Sequence, residues 1–119
     1  MNGSKQMRVT LMLSITTEQE SSMLPKNREP THPGQMLLKE FLEPIELTQT
    51  DFAKKIGWTY ARLNEIINGR RGVSADSALT LADAFNMEAE FWLNLQRDWD
   101  LWHASKKHKK IKPIFKNAA

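Results

Sequence analysis

Between Thr48 and Gly72 two short apolar repeats of helical period flank a three-residue break: TQTDFAKKI, then GWT, then YARLNEIINGRRG. Thr48 is placed to cap the first repeat, with Phe52, Ala53 and Ile56 on its apolar face, and Gly57 suits the left-handed conformation that ends a helix. Thr59 is placed to cap the second, whose inner face is Leu63, Ile66 and Ile67, and Asn68-Gly69 closes it. Helices this short, joined by so tight a turn, must cross closely. Ala53 supplies the small side chain such a crossing needs.

The rest of the chain supports this pair with more helix. Pro33 suits a first helical position, and Leu37, Leu38, Phe41, Leu42 and Ile45 recur at spacings of three and four until Pro44 stops the ladder. Ser74 can cap a fourth helix with Ala78, Leu81, Ala82 and Phe85 turned inward, and a fifth runs from about Glu88 into a basic tail. Five helices and no convincing strand predict an all-α bundle over residues 32–102, with an N-terminal arm at 1–31 and a tail at 103–119. VTLMLSI in the arm has strand composition but no partner strand, and SSMLPKNREPTHP is broken by three prolines. Met23 is an alternative translation start, which would make everything before it dispensable.

Charge is unevenly distributed. Residues 103–119 hold six lysines and no acid, and Thr48 to Gly72 holds five cations against two acids. Val73 to Trp102, by contrast, holds one arginine against six acids. One segment therefore suits a polyanion and the next repels it. The absence of cysteine excludes disulfides, thiolate metal sites and cysteine nucleophiles. No apolar run approaches the roughly 20 residues of a membrane helix, so the chain is read as soluble, cytoplasmic and without a membrane partner. Catalysis finds no footing: there is no nucleophile elbow, no phosphate-cradling glycine loop and no HExxH. His103 and His108 are five positions apart and flanked by lysines, which argues against a metal, and no cofactor is expected.

TQTDFAKKIGWTYARLNEIINGRRG resembles the helix-turn-helix of the lambda-repressor-like (XRE) family, with Gln49, Ala53, Gly57, Leu63 and Ile66 at matching positions. The longer stretch from HPGQMLLKEFLEP through NMEAEFWLNLQRDW, about 32 to 102, is similar to the HigA antitoxin family, also called virulence-associated protein I. The resemblance implies a non-enzymatic protein with two tasks: binding and neutralising a HigB-like toxin that cuts messenger RNA, and repressing its own operon. The alternative within the same fold is a solitary XRE-type repressor with no toxin.

In the helix-turn-helix mode the amino-terminal residues of the second helix meet base edges in the major groove while the first helix crosses the backbone. Burial of Leu63, Ile66 and Ile67 leaves Tyr60, Ala61, Arg62 and Glu65 outward. Arg62 is expected to donate twice to guanine, Tyr60 and Ala61 to touch a thymine methyl, and Glu65 either to accept from cytosine or simply to exclude other bases. Thr48 and Gln49 are expected at one phosphate, and Asn68, Arg70 and Arg71 at another, with Thr59 at the head of the reading helix. For Gln49, Asn68 and the arginine pair the resemblance is the main support.

Operator binding of this kind calls for a twofold dimer. Trp92, Leu95, Trp99 and Trp102 fall at spacings of three, four and three, with Phe91 beside them, and are expected to serve partly the core and partly a homodimer seam. The acids Asp76, Asp83, Glu88, Glu90, Asp98 and Asp100 suit a basic toxin, and the arm is an equal contender for that contact. The tail SKKHKKIKPIFKNAA is read as a solvated end that could also track DNA phosphates.

Overall fold

The computed structural model describes residues 28–115, which form five helices and no strand. The strand-like stretch VTLMLSI and the candidate start at Met23 lie outside the described residues. Helix α1 begins as an α-helix over Pro33–Met36 and widens into a π-helix over Leu37–Leu42. Then come α2 (Gln49–Ile56), α3 (Tyr60–Ile67), α4 (Ala75–Phe85) and α5 (Ala89–Lys107).

Short polar caps set most of these boundaries. The hydroxyl oxygens of Thr48, Thr59 and Ser74 accept from the backbone N–H three residues on, at 3.1, 3.1 and 3.2 Å, each satisfying a donor that the first helical turn leaves without a partner. Gly57 ends α2 at φ +79°, a conformation in which a β-carbon would be strained. Helix α1 ends differently. Its last bonds span five residues, from Glu43 N–H to Leu38 C=O at 2.9 Å and from Leu47 N–H to Leu42 C=O at 3.0 Å. Pro44 has no N–H to continue the ladder, and Glu46 turns the chain at φ +56°. Ile45, expected on the apolar face, therefore lies beyond the helix and is 51% exposed.

The core gathers where all five helices face inward. Leu37, Leu42, Leu63, Ile66, Ala78, Leu81 and Trp92 have no accessible surface. Phe41 sits at an aromatic centre, with ring centroids 4.8 Å from Phe85, 4.9 Å from Trp92 and 6.0 Å from Phe91. Burying a large apolar side chain contributes about 2 kcal/mol, so this cluster carries much of the fold.

One contact fixes where α3 stands. The first turn of α1 meets the last turn of α3 so closely that a β-carbon on Gly34 would lie 1.8 Å from the backbone oxygen of Ile66. Beside it, Gln35 Nε2 donates to the carbonyl of Ile67 at 2.9 Å, satisfying an acceptor that a helix end otherwise leaves open. His32 completes the corner: its Nδ1 accepts from Gly34 N–H at 2.9 Å, and its ring packs edge-on against Trp99 with centroids 4.8 Å apart. Burial pushes the His32 pKa below its ordinary value of 6.5, helped by His103 and against the opposing pull of Asp100 and Glu29, which favours the neutral ring that accepts that N–H.

Gly34→Ala therefore drives a methyl into backbone rather than into a flexible side chain, and its expected cost is about 3 kcal/mol in urea unfolding. Gln35→Ala is expected to cost only about 1 kcal/mol. A Gly34→Ala protein as stable as the parent would contradict this close approach.

Candidate nucleic-acid interface

The crossing of α2 and α3 positions every candidate side chain. Ala53 is 2% exposed at the crossing, and Phe52 and Leu63 are buried on either side of it. The two capped helix starts, at Thr48 and Thr59, leave polar side chains on the outer surface.

Those side chains form a hydrogen-bonded row. Asn64 Nδ2 donates to Gln49 Oε1 at 3.1 Å, tying α3 to the start of α2, and also reaches Tyr60 Oη at 3.4 Å. Asn68 Nδ2 donates to Asn64 Oδ1 at 3.0 Å. Asn64 is the hub of this row, and it is a residue that the reading of the sequence passes over. Its signal was present in the spacing: Tyr60, Asn64 and Asn68 are four apart and share one helical face. Tyr60 remains 52% exposed, and Ala61 beside it is open to solvent.

Past α3 the chain wraps around the end of the helix. The N–H groups of Arg70 and Arg71 both donate to the Glu65 carbonyl, at 2.9 and 3.2 Å. The side chains of Glu65 and Arg71 also pair: Oε1 of the carboxylate accepts from Nε at 2.9 Å and lies 2.7 Å from Nη2. Glu65 is thus occupied by Arg71 rather than presented to a base. Both groups are about half exposed, so the pair remains open to exchange.

Arg62 departs most from expectation. Its guanidinium does not project outward as a guanine reader would. Nη2 donates to Ser77 Oγ at 2.8 Å, the guanidinium carbon stands 4.2 Å above the Trp58 ring, and Asp76 lies 3.8 Å away. A long cation that finds an acceptor, an aromatic face and a carboxylate within its own molecule is held there. Arg62 therefore braces the start of α3 against the start of α4.

The tryptophan stripe also divides. Phe91, Trp92 and Leu95 are buried in the core of the single chain, Trp92 completely, and take the core part of the expected shared use. Trp99 and Trp102, one and two turns on, stay partly accessible, with His103 packed between them at 4.3 and 5.0 Å and its Nε2 2.8 Å from Glu29 Oε2.

A helix-turn-helix family model matches residues 38–92. Virulence-associated protein I of Dichelobacter nodosus is 39% identical over 90 residues, which cover 75% of this chain and 83% of that protein. The chain belongs to the helix-turn-helix family of virulence-associated protein I and the HigA antitoxins. Antitoxin HigA-1 of Vibrio cholerae is 37% identical over 98 residues, spanning 78% of this chain and 91% of its own length. Among solved structures, the Pseudomonas aeruginosa antitoxin HigA with the higBA promoter superposes with a TM-score of 0.67 at 32% identity, covering 73% of this chain and all of that one. Antitoxin GraA in complex with its operator gives 0.64 at 37% identity, over 72% of this chain and 87% of that one. The family is one of DNA-binding regulators and antitoxins, not enzymes. Among the described residues no helix is long and apolar enough to cross a membrane.

For this HigA-family chain the bracing role of Arg62 has a direct consequence. Arg62→Ala removes a charged donor from the buried Ser77 hydroxyl and is expected to lower stability by about 2 kcal/mol in urea unfolding. A change within a few tenths of a kcal/mol would return Arg62 to the set of free surface side chains.

Proposed function

We propose that this protein is the antitoxin of a toxin–antitoxin pair, a cytoplasmic homodimer that represses its own operon and neutralises a HigB-like mRNA-cleaving toxin. The observation that carries the DNA-binding half is the polar row of Tyr60, Asn64 and Asn68 along α3, tied to Gln49 at the start of α2 and bordered by the cations of the Arg70-Arg71 turn. Family membership supports it, because relatives of this chain were solved on a promoter and on an operator.

In this reading α3 enters the major groove by its amino end, and Tyr60 and Ala61 meet base edges. Asn64 keeps the row in register rather than reading alone, since its amide already serves Gln49 and Asn68. Thr48 keeps its hydroxyl hydrogen and Gln49 its NH2 group for a phosphate, beside the unpartnered N–H groups that begin α2. Arg70 takes a second phosphate directly. Arg71 takes one by leaving Glu65, whose freed carboxylate then disfavours bases that offer no donor. Thr59 stays with the α3 cap, and Arg62 with its bracing contacts.

The twofold partner is placed against the outer half of α5, where Trp99 and Trp102 are partly accessible and Leu101 is 54% exposed. The acids at Asp76, Asp83, Glu88 and Glu90 offer a surface of opposite sign to an RNA-cleaving toxin. The competing reading, a solitary repressor, draws on relatives named only as transcriptional regulators, such as YbaQ of Escherichia coli at 38% identity over 80 residues.

Titration with duplexes from the region upstream of the gene tests the DNA-binding half. Tyr60→Ala is expected to relax preference at particular base pairs, whereas Arg70→Ala weakens all sequences alike and lowers the slope of log K against log salt by about one. Equal effects of both substitutions on every duplex would refute this division of labour. Co-expression with the reading frame next to the gene tests the other half: a toxic product that co-purifies with this chain supports the antitoxin, and its absence leaves the solitary repressor.

A further inference from the structure

Beyond the last turn of α5 the chain carries a segment that none of the roles under the proposed function employs. His108 leaves the helix in extended conformation, and residues 108–113 continue without regular structure. Ile111, Ile114 and Phe115 are 76, 90 and 75% exposed. From Leu101 to the last residue there is no acid, while lysines stand at 106, 107, 109, 110, 112 and 116. Among the described residues Lys107, Lys109, Lys110 and Lys112 have no ion-pair partner, although the same chain offers the acids of α4 and α5. Residues 108–115 are exposed throughout.

Its point of departure indicates where it leads. Gln96 of α5 accepts from Val73 N–H at 2.7 Å through Oε1, just past the Arg70-Arg71 turn. One turn further, Trp99 shares a groove with Asn68 and Gly69 at the end of α3. Helix α5 thus passes beside the turn assigned to phosphate and then runs about 12 Å beyond Trp99 to Lys107, at 1.5 Å per residue. Drawn out in full, the eight residues 108–115 would add up to about 26 Å of reach.

We propose that the lysine-rich tail is a second DNA-contacting arm, which follows the duplex outward from the helix-turn-helix site and lays its cations on flanking phosphates. This inference rests on the DNA-binding reading above. A span of about 26 Å corresponds to about 8 base pairs at 3.4 Å per phosphate along a strand. Drawn out in full along a duplex, such a chain alternates its side chains, which would put Lys109, Ile111 and Phe115 on one side and Lys110, Lys112 and Ile114 on the other. Cations and apolar groups are mixed on both sides. A bilayer surface selects for their separation onto opposite faces, whereas DNA-binding segments combine cations on phosphates with apolar side chains wedged at base steps.

The test uses the full chain and a Lys109→Gln, Lys110→Gln, Lys112→Gln variant. Two duplexes from the gene's upstream region are compared: one just spans the two half-sites, and the other extends it by about 8 base pairs at each end. The parent is expected to bind the longer duplex at least about tenfold more tightly, with a salt slope steeper by about three for each engaged tail. The variant is expected to bind both duplexes alike, and the short one as the parent does. Equal binding of both duplexes by the parent overturns the arm while leaving the helix-turn-helix reading intact. No binding to either duplex overturns both. Pelleting of the parent, but not the variant, with phosphatidylserine vesicles, together with indifference to duplex length, assigns the tail to an anionic membrane and likewise overturns the proposal.

Discussion

The recognition surface depends on how closely α1 approaches the end of α3. A glycine at position 34 lets the backbone of one helix rest on the carbonyl end of the other, and Gln35 fastens the contact with a hydrogen bond to Ile67. The neutral His32 ring closes the corner from below, holding Gly34 N–H on one side and stacking edge-on against Trp99 of α5 on the other. Helix α3 is too short to be stable alone in water, so its orientation comes from these neighbours rather than from its own propensity. His-Pro-Gly-Gln is therefore a structural clasp: a cap, a first-turn proline, a gap where a side chain would collide, and a donor for an open carbonyl.

The front of α3 is held as firmly as its back. At its start Arg62 bridges to Ser77 and covers Trp58, and at its end Arg71 folds back onto Glu65. These contacts differ in exposure and so in consequence. The Arg62 bridge ends on a hydroxyl with almost no accessible surface, and losing it removes the charged donor and leaves Ser77 Oγ with the Ser74 hydroxyl alone. The Glu65–Arg71 pair is half in water, where such pairs contribute about 0–1 kcal/mol, so a phosphate can compete for the arginine at little cost. One cation braces the scaffold, and the other is available to a ligand.

Much of this was legible in the residues because it is local. Threonine and serine caps, the glycine that ends α2, and the apolar stripe of Leu63, Ile66 and Ile67 depend on neighbours within four positions. What the sequence concealed depends on distance. Arg62 is outward by helical periodicity, yet its long side chain reaches an acceptor fifteen residues along, which no spacing rule encodes. Trp92 and Trp102 share a stripe, but only the first meets the aromatic centre around Phe41, because α5 outruns the bundle it packs on. The widened turn of α1 likewise follows from tertiary packing and Pro44, and it displaced Ile45 from the face that its spacing suggested. Asn64 shares a face with Tyr60 and Asn68 by spacing alone, but its partner on α2, Gln49, is brought near only by the crossing.

The clasp at Gly34 and the brace at Arg62 together leave one row of α3 for a duplex, and NMR mapping of backbone amides during titration with upstream DNA tests that arrangement most directly. Shifts are predicted at Thr48 to Asp51, Thr59 to Asn64 and Asn68 to Arg71, with Ala78, Leu81 and Trp92 unmoved. Shifts centred on α4 and α5, with Tyr60 and Ala61 undisturbed, would contradict the account.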